Sequence, residues 1–190
     1  MSSQGSAGLF DDQGVAGSHH SSNARLSPLR LEVKIVSATY CAFTSDFAKL
    51  RLGITLQLRN LTSDRLVLRK IGFPVVVFVA RTKGDIAKGK YELSMAPETL
   101  GFGKPQPMQE LNGQLGPGES IEVPSSEIFV PVSIGQSHRG VEPGKHLLQI
   151  EALVELGNPQ RSSVESFSIR SLTVPLVVEV NPTINMCKPQ

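Results

Sequence analysis

The sequence contains no tryptophan and only two tyrosines among its 190 residues. Sugar-binding sandwiches rely on exposed aromatic platforms that stack on pyranose rings, so this scarcity disfavours a carbohydrate site. No window approaches eighteen consecutive apolar residues, and the segment after Met1 lacks the basic region and apolar core of a signal peptide. The sequence therefore predicts neither a membrane span nor export, and a cytoplasmic location is the default expectation.

Cysteine is also scarce, and the two cysteines leave their pairing open. Cys41 and Cys187 can form one bridge, a free buried pair or two unrelated thiols. Cys41 lies near Tyr40 and Phe43, where a small apolar core residue fits, whereas Cys187 lies in a polar, proline-containing tail. We expect free thiols, and an exposed Cys187 would suggest a reducing compartment or a partner.

Motifs for catalysis or metal binding are absent from the sequence. It has no Gly-x-Ser-x-Gly elbow and no dinucleotide Gly-x-Gly-x-x-Gly, and we expect no phosphate-cradling Gly-x-x-x-x-Gly-Lys loop. The four histidines show no metal-ligand spacing beyond an adjacent pair in the tail; they are His19, His20, His138 and His146. His146 opens a predicted strand, where we expect a solvent-facing or hydrogen-bonded role. The sequence predicts no enzyme, no cofactor and no metal site.

The first 26 residues are rich in glycine and serine, which occupy ten positions, and carry three charges. Such a segment cannot bury enough apolar surface to offset the entropy lost on ordering. The sequence therefore predicts a disordered tail over residues 1–26 and one β-sandwich domain over residues 27–181. We expect a long loop excursion over residues 82–119 of that domain and a C-terminal tail over residues 182–190.

Two segments at the start of the domain alternate between apolar and polar or charged residues. Residues 29–35 do so, and residues 50–58 place five leucine or isoleucine residues on one face. A period of two predicts half-buried strands. Turn-forming residues follow at 60–64 and a third run begins at Leu66, which predicts a hairpin. Residues 60–62 also match the N-glycosylation acceptor pattern, but a turn explains them equally well.

A fully apolar run at residues 73–80 predicts a strand that is buried on both faces. Lys70 and Arg81 flank this run, as basic gatekeepers flank segments that tend to aggregate. The periodicity fades over residues 82–119, where glycine and proline recur. We expect short strands or one helical turn there at most, and a loop of this length is often functional.

Three further strands are predicted over residues 127–134, 146–156 and 166–180. In the last run, Pro175 lies on the face opposite the evenly spaced apolar residues. An edge strand tolerates proline at such a position. The chain thus has about seven or eight strands, repeated turn signals and no sustained helical period. These features predict an all-β fold, an antiparallel β-sandwich of immunoglobulin-like or jelly-roll-like type.

Two Pro-Gly turns, at residues 115–119 and 141–145, each lead toward a strand, and a leucine-rich strand ends in Asn60. In these features residues 29–180 resemble bacterial immunoglobulin-like and fibronectin-III-like modules. The core tryptophan and the paired cysteines of true immunoglobulin domains are missing. The resemblance implies a fold and a habit of binding or spacing, and it transfers no functional residue.

The net charge of +2 conceals an uneven distribution. Residues 25–90 hold thirteen Lys or Arg against four acids, a balance of +9, and residues 91–190 hold six against eleven, a balance of −5. Such asymmetry suggests nucleic acid or another acidic partner. However, first and last strands become neighbours in a sandwich, so basic side chains can lie beside acidic ones. We favour this internal compensation.

Two classes of function follow. The first is a non-enzymatic protein-interaction or structural module, whose partner is an unknown protein or a second copy of the chain. The alternative is a nucleic-acid or polyanion binder, including a viral coat-like protein, that uses the basic N-terminal strands. Binders of single strands usually add stacking aromatics, of which these strands supply few, so nucleic acid is disfavoured. The first class would use the 82–119 loop and the charged strands as its contact surface. The basic residues of the candidate polyanion or partner surface are Arg30, Lys34, Arg51, Arg59, Arg65, Arg69 and Lys70.

Overall fold

The structure, a computed structural model, describes residues 27–42, 47–95, 109–133, 140–157 and 163–186. These residues form nine strands and one short helix. In chain order the elements are β1 (Leu29–Ala42), β2 (Phe47–Asn60), β3 (Leu66–Ala80), α1 (Lys83–Ala87), β4 (Leu93–Met95), β5 (Gln109–Leu115), β6 (Ser120–Ser133), β7 (Gly144–Gly157), β8 (Val164–Arg170) and β9 (Val174–Val178).

The strands form two antiparallel sheets, which confirms the all-β prediction. The first sheet has the strand order β1-β2-β6. The second has the order β4-β3-β7-β8, with β5 also paired to β3 and β9 also paired to β7. Apolar side chains from both sheets belong to one buried cluster, so the sheets pack face to face like the layers of a sandwich.

The alternating segments supply the core, as their period of two requires. In β2 every second side chain is buried, and so is every second side chain in β7. The buried residues of these two strands include Leu50, Leu52, Ile54, Leu56 and Leu58 in β2, and Leu148, Ile150, Ala152, Val154 and Leu156 in β7. β2 and β7 thus form the two halves of the core.

The predicted hairpin between the second and third strands is wrong. β2 pairs with β1 and β6, whereas β3 pairs with β4, β5 and β7 in the other sheet. The turn-forming residues at 60–64 therefore carry the chain from one sheet to the other. The physical reason is that turn residues favour a change of direction but do not specify which strand the chain pairs with next.

Asn60 fixes this crossing. Its side-chain amide donates to the carbonyl oxygens of Asp64 (2.7 Å), Leu115 (3.0 Å) and Gly116 (3.0 Å). Its side-chain oxygen accepts from the backbone N–H and the hydroxyl of Thr62, both at 2.8 Å. The residue is only 1% exposed, so the acceptor nitrogen of the glycosylation pattern is inaccessible in the folded domain.

The apolar run at residues 73–80 belongs to β3, in which the register with β7 shifts between Gly72 and Val76. From Val77 to Ala80, side chains of both parities are buried, which confirms the prediction for this part of the run. The excursion at residues 82–119 contains α1, β4 and β5. The tail predicted over residues 1–26 lies outside the described residues.

The strand predicted over residues 166–180 is interrupted, because β8 ends at Arg170 and β9 begins at Val174. Ser171 lies between them, and its buried hydroxyl accepts a hydrogen bond from the backbone N–H of Ile150 at 3.0 Å. This side-chain bond takes the place of a ladder bond at the break. Pro175 lies in β9, which pairs only with β7 among the described strands.

The expectation of free thiols is wrong for Cys41, which is disulfide-bonded. Cys187, the other cysteine of the sequence, lies outside the described residues. Asn185 forms a parallel bridge with Cys41, and its backbone N–H donates to the carbonyl of Tyr40 at 2.8 Å. The sequence could not predict this because chain position does not reveal that residue 185 returns to the edge of β1.

Candidate functional site

The outward side chains of β1, β2 and β6 form a surface of mixed charge, which we call the charged face. Each of these residues alternates along its strand with core residues, which explains its outward direction. The face carries five basic and three acidic side chains, which are Arg30, Lys34, Lys49, Arg51, Arg59, Glu32, Glu122 and Glu127.

Part of the charged face is internally neutralised. Arg51 of β2 forms a hydrogen-bonded ion pair with Glu127 of β6, and this hydrogen bond raises the pKa of Arg51. Arg30 lies 3.9 Å from Glu32 on the same strand. The ammonium of Lys49 lies 5.9 Å from the centre of the Phe129 ring, and burial lowers the pKa of Lys49.

Other charges on this face have no side-chain partner among the described residues; these are Lys34, Arg59 and Glu122. Arg59 lies directly opposite Arg30 in the β1–β2 register, so two like charges are neighbours. Glu122 lies opposite Gln57 rather than opposite a basic residue. The charged face therefore has exposed groups of both signs without a side-chain partner among the described residues.

The remaining candidate residues lie on the other side of the crossing. Arg65 donates to the side-chain oxygen of Gln114 at 3.2 Å, and the side chain of Arg69 lies against Gly157. Lys70 of β3 lies between Glu110 of β5 and Glu155 of β7 in the strand register.

Sequence reasoning treated the seven basic residues as one surface, but the structure divides them. Arg30, Lys34, Arg51 and Arg59 belong to the three-stranded sheet, and the other three belong to the chain around the start of β3. The outer faces of two packed sheets point in opposite directions. The strands that carry the seven residues therefore supply two surfaces rather than one.

A polar cluster that the sequence did not reveal lies at one end of the second sheet. Arg81 pairs with Glu92 and, at 3.0 Å, with Glu142. His146 is fully buried at its side chain, with Nδ1 3.0 Å from Glu92 and Nε2 2.8 Å from the backbone oxygen of Glu142. Of the two roles expected for His146, the hydrogen-bonded one is observed. These contacts join the residue after β3, the residue before β4, the segment before β7 and β7 itself. The cluster therefore has a structural role.

A second unpredicted cluster lies on the outer face of the second sheet. The rings of Phe78 and Tyr91 have centroids 4.7 Å apart, and the guanidinium of Arg170 lies 4.7 Å from the Phe78 ring centre. Arg170 also donates to Glu151 at 2.8 Å. The sequence signal would have been the position of Phe78 in the apolar run, where its side chain points to the outer face of the sheet. An aromatic ring on that face requires other side chains to cover it.

The expectation that the spacing Gly-x-x-x-x-Gly-Lys is absent is wrong, because it occurs at residues 84–90, with Tyr91 where a phosphate-binding loop has Ser or Thr. In such a loop the helix follows the glycine-rich turn. Here Gly84 is already part of α1, which begins with a capping box between Thr82 and Asp85. The geometry therefore does not fit a phosphate cradle.

Within the described ranges, no three His, Cys, Asp or Glu side chains come together in a group that could hold a metal ion. The single helix found in that part of the chain, α1, has five residues and is too short to cross a membrane.

No protein-family model matches the chain. No curated protein matches it either. Among solved structures, the chain aligns with the X-ray structure of Northeast Structural Genomics Consortium target SoR45, with a TM-score of 0.38 and 12% sequence identity. The alignment covers 80% of this chain and 87% of that one.

Proposed function

We propose that this chain is a non-enzymatic protein-interaction module and that the charged face is its contact surface. The observation that carries the proposal is the set of unpaired charges of both signs, Lys34, Arg59 and Glu122, on one sheet. A surface with charges of both signs is more complementary to a protein surface than to a polyanion. The reason is that each charge of the surface repels charges of the same sign in a partner that does not match it. The Arg51–Glu127 pair lies on the same face, beyond Lys34 along β2, and adds a fixed hydrogen-bonding point.

The strand order supports an immunoglobulin-type sandwich for this module. If β1, β2 and β6 are strands A, B and E, and β3, β7 and β8 are strands C, F and G, the two sheets take the order A-B-E and C-F-G. β4 then occupies the position of strand C′ beside strand C. Modules of this type recur in binding and spacing roles, which is an argument from fold alone.

The test is capture of proteins from a native lysate of the source organism by the full chain and by two variants. In the first variant, Lys34→Glu and Arg59→Glu reverse the unpaired charges of the charged face. The matched control is Lys145→Glu, an exposed lysine of β7 in the other sheet. We expect a protein that the wild type and the control capture and that the double variant loses. Equal capture by all three forms would exclude the charged face as the contact surface.

Polyanion binding is the second candidate, and the Arg30–Arg59 pair favours it. These two residues lie opposite one another without an acid directly between them, and Lys34 lies on the same face. A phosphate backbone would relieve their mutual repulsion. Against this candidate, Glu32, Glu122 and Glu127 lie on the same face and repel phosphates.

The polyanion candidate predicts a steep salt dependence, because each neutralised phosphate releases counterions. The measurement is a titration with duplex and single-stranded DNA at about 50 and 200 mM salt, where several phosphate contacts differ in affinity by orders of magnitude. We expect weak binding at both salt concentrations. Micromolar binding at low salt that disappears with Arg51→Glu and Arg59→Glu would replace the protein-interaction proposal with this one.

A further inference from the structure

β1 is an edge strand whose outer side is covered only at its two ends. At one end, the carbonyl of Leu31 accepts from the N–H of Leu172 at 2.9 Å. At the other end, the backbone of Asn185 donates to one carbonyl of β1 at 2.8 Å and accepts from an N–H of β1 at 3.0 Å. Between these contacts, residues 33–38 pair with β2 on one side and with no other strand among the described residues. We call residues 33–38 the open edge.

Unpaired backbone groups point outward along the open edge. In an antiparallel pair, alternate residues direct both backbone groups away from the partner. Leu31 is such a residue, because its carbonyl bonds outside the β1–β2 pair, and Val33 and Ile35 follow at the same spacing. The register shifts between Ile35 and Ser37, and beyond the shift the outward direction passes to Ala38. A row of unpaired N–H and C=O groups is a template for an added strand.

Apolar side chains of the open edge are less covered than their neighbours on β2. Ile35 lies opposite Ile54 and Ala38 lies opposite Leu52, so both point toward the core. Ile54 and Leu52 are fully buried, whereas Ile35 is half-buried and Ala38 is exposed. Val36, at the register shift, is 55% exposed. An added strand would remove apolar surface from water here, which favours its binding.

The covered ends of β1 limit what can bind at the open edge. Ser171 forms a parallel bridge with Leu31, so Leu172 lies beside Glu32, and Asn185 occupies the other end. The six residues between them span about 20 Å of strand. A short extended peptide fits this span, because its chain can leave the edge at each end. A folded partner would instead bring its connecting loops against the two covering segments.

Lys34 selects the chemistry of the bound segment. It lies opposite Thr55 of β2, is exposed and has no ion-pair partner among the described residues. In an antiparallel addition, three consecutive residues of the peptide lie opposite Ile35, Lys34 and Val33. The first and third point toward the core, and the second points to the outer face beside the Lys34 ammonium. The complementary segment therefore has the pattern apolar-acidic-apolar.

We propose that the open edge binds a short extended segment of a partner protein, of the pattern apolar-acidic-apolar, as an added antiparallel strand. This inference rests on the proposed interaction role and names the part of the partner that is recognised. The backbone groups of Val33 and Ile35 give affinity for an extended chain, and Lys34 gives selectivity for the acidic residue. Glu32, the nearest acid along β1, lies 3.9 Å from Arg30, which limits its repulsion of that residue.

The test is selection from a phage-displayed library of about seven random residues, enough to span the open edge, with the full chain and two variants as bait. We expect the wild type to select an acidic residue between two apolar ones. Lys34→Glu should select a basic residue at that position, because the charge opposite it is reversed. Lys145→Glu, an exposed lysine of β7 in the other sheet, is the control and should select the wild-type pattern.

The peptide selected by the wild type is then synthesised and titrated into isotope-labelled protein. We expect Lys34→Glu to raise its dissociation constant at least about tenfold and Lys145→Glu to leave it within about twofold. Bound peptide should slow amide hydrogen exchange at Val33 and Ile35, whose N–H groups gain acceptors. The amide of Lys34 is the internal reference, because it already faces β2.

Failure of the wild type to select any peptide would overturn the inference, as would selected peptides without the acidic residue. Peptides that leave exchange at Val33 and Ile35 unchanged would contradict strand addition. Urea unfolding of each variant, followed by circular dichroism, separates loss of binding from loss of folding. Failed selection with lysate capture that still depends on Lys34 and Arg59 would remove the open edge and leave the proposed function intact. Peptide binding without charge-dependent capture would do the reverse.

Discussion

Asn60 connects three parts of the chain through one side chain. Its amide group satisfies the carbonyls of Leu115, the last residue of β5, and of Gly116, which follows it, as well as the carbonyl of Asp64. Its backbone N–H donates to Glu119 at 3.0 Å. A residue with this many buried hydrogen bonds is important for stability. Each buried carbonyl that loses its donor is left with an uncompensated desolvation free energy.

Asn60→Ala is therefore expected to lower the free energy of unfolding by about 2–3 kcal/mol. The measurement is equilibrium unfolding in urea. Asn181→Ala is the matched control, since Asn181 is exposed and makes no side-chain hydrogen bond among the described residues; it should change stability by less than about 0.5 kcal/mol. Equal stability of the two variants would contradict the role assigned to Asn60.

Tyr40 provides a pH dependence at the residue scale. Burial raises its pKa above 10.0, although the hydrogen bond from the backbone N–H of Glu179 to its hydroxyl oxygen acts in the opposite direction. Because the folded pKa lies above the unfolded value, the neutral phenol stabilises the fold fully below about pH 10. That contribution is lost as the pH rises through the folded pKa.

The chain allows this pKa to be measured directly, because it has no tryptophan and only two tyrosines. In Tyr91→Phe, the tyrosinate absorbance reports Tyr40 alone. We expect a midpoint above 10.0 in the folded variant and a return to about 10 in urea. A folded midpoint at or below the urea value would show that burial does not control this phenol.

At the scale of elements, the C-terminal segment contacts β1 at Cys41. This residue is disulfide-bonded, and Asn185 pairs with the backbone on either side of it. Reduction is expected to lower the free energy of unfolding by about 2–4 kcal/mol, the usual contribution of a bridge. The measurement is urea unfolding with and without a reductant.

Cys41→Ser serves as the control for reduction. Its stability should match that of the reduced wild type and should not respond to the reductant. Thiol titration of the unfolded, unreduced wild type should find no free thiol, because the chain has two cysteines. Detection of two thiols would contradict the bridge.

The elements that could be predicted from sequence were those in which alternation decides the outcome. β2 and β7 follow from their period of two, because a one-residue shift would turn every apolar side chain to solvent. The start of β6 at Ser120 was predicted seven residues too late, because Pro124, Ser125 and Ser126 interrupt the alternation that begins at residues 120–123. The crossing at Asn60 could not be predicted, because its turn residues are the same as those of a hairpin.

The candidate site was predictable in the same partial way. Alternation correctly indicates that Arg51 and Arg59 point away from the core. It cannot indicate that Glu127 lies beside Arg51, because 76 residues separate them in the chain. The Arg81, Glu92 and His146 cluster is also long-range, and its members carry no mutual spacing that a motif could express.

At the scale of the whole molecule, the described contacts of the domain begin immediately after the predicted tail. Leu29 donates to the hydroxyl of Ser27 at 3.3 Å, and Leu61 donates to the carbonyl of Pro28 at 2.9 Å. A chain that begins at Ser27 is expected to unfold as cooperatively as the full chain, because it keeps these contacts. The measurement is thermal unfolding of both forms, and a broad transition in the shorter form would place the boundary earlier.

The strand order of the first sheet has a consequence for synthesis on the ribosome. β2 is its central strand, but its second neighbour, β6, begins 60 residues after β2 ends at Asn60. At about 5–20 residues per second, the β1–β2 ribbon waits on the order of 3–12 s for β6 to be made. During that interval one edge of β2 and the apolar side of the ribbon are uncovered. The nascent chain thus passes through a stage in which the leucine-rich strand β2 is open to chaperones or to neighbouring nascent chains.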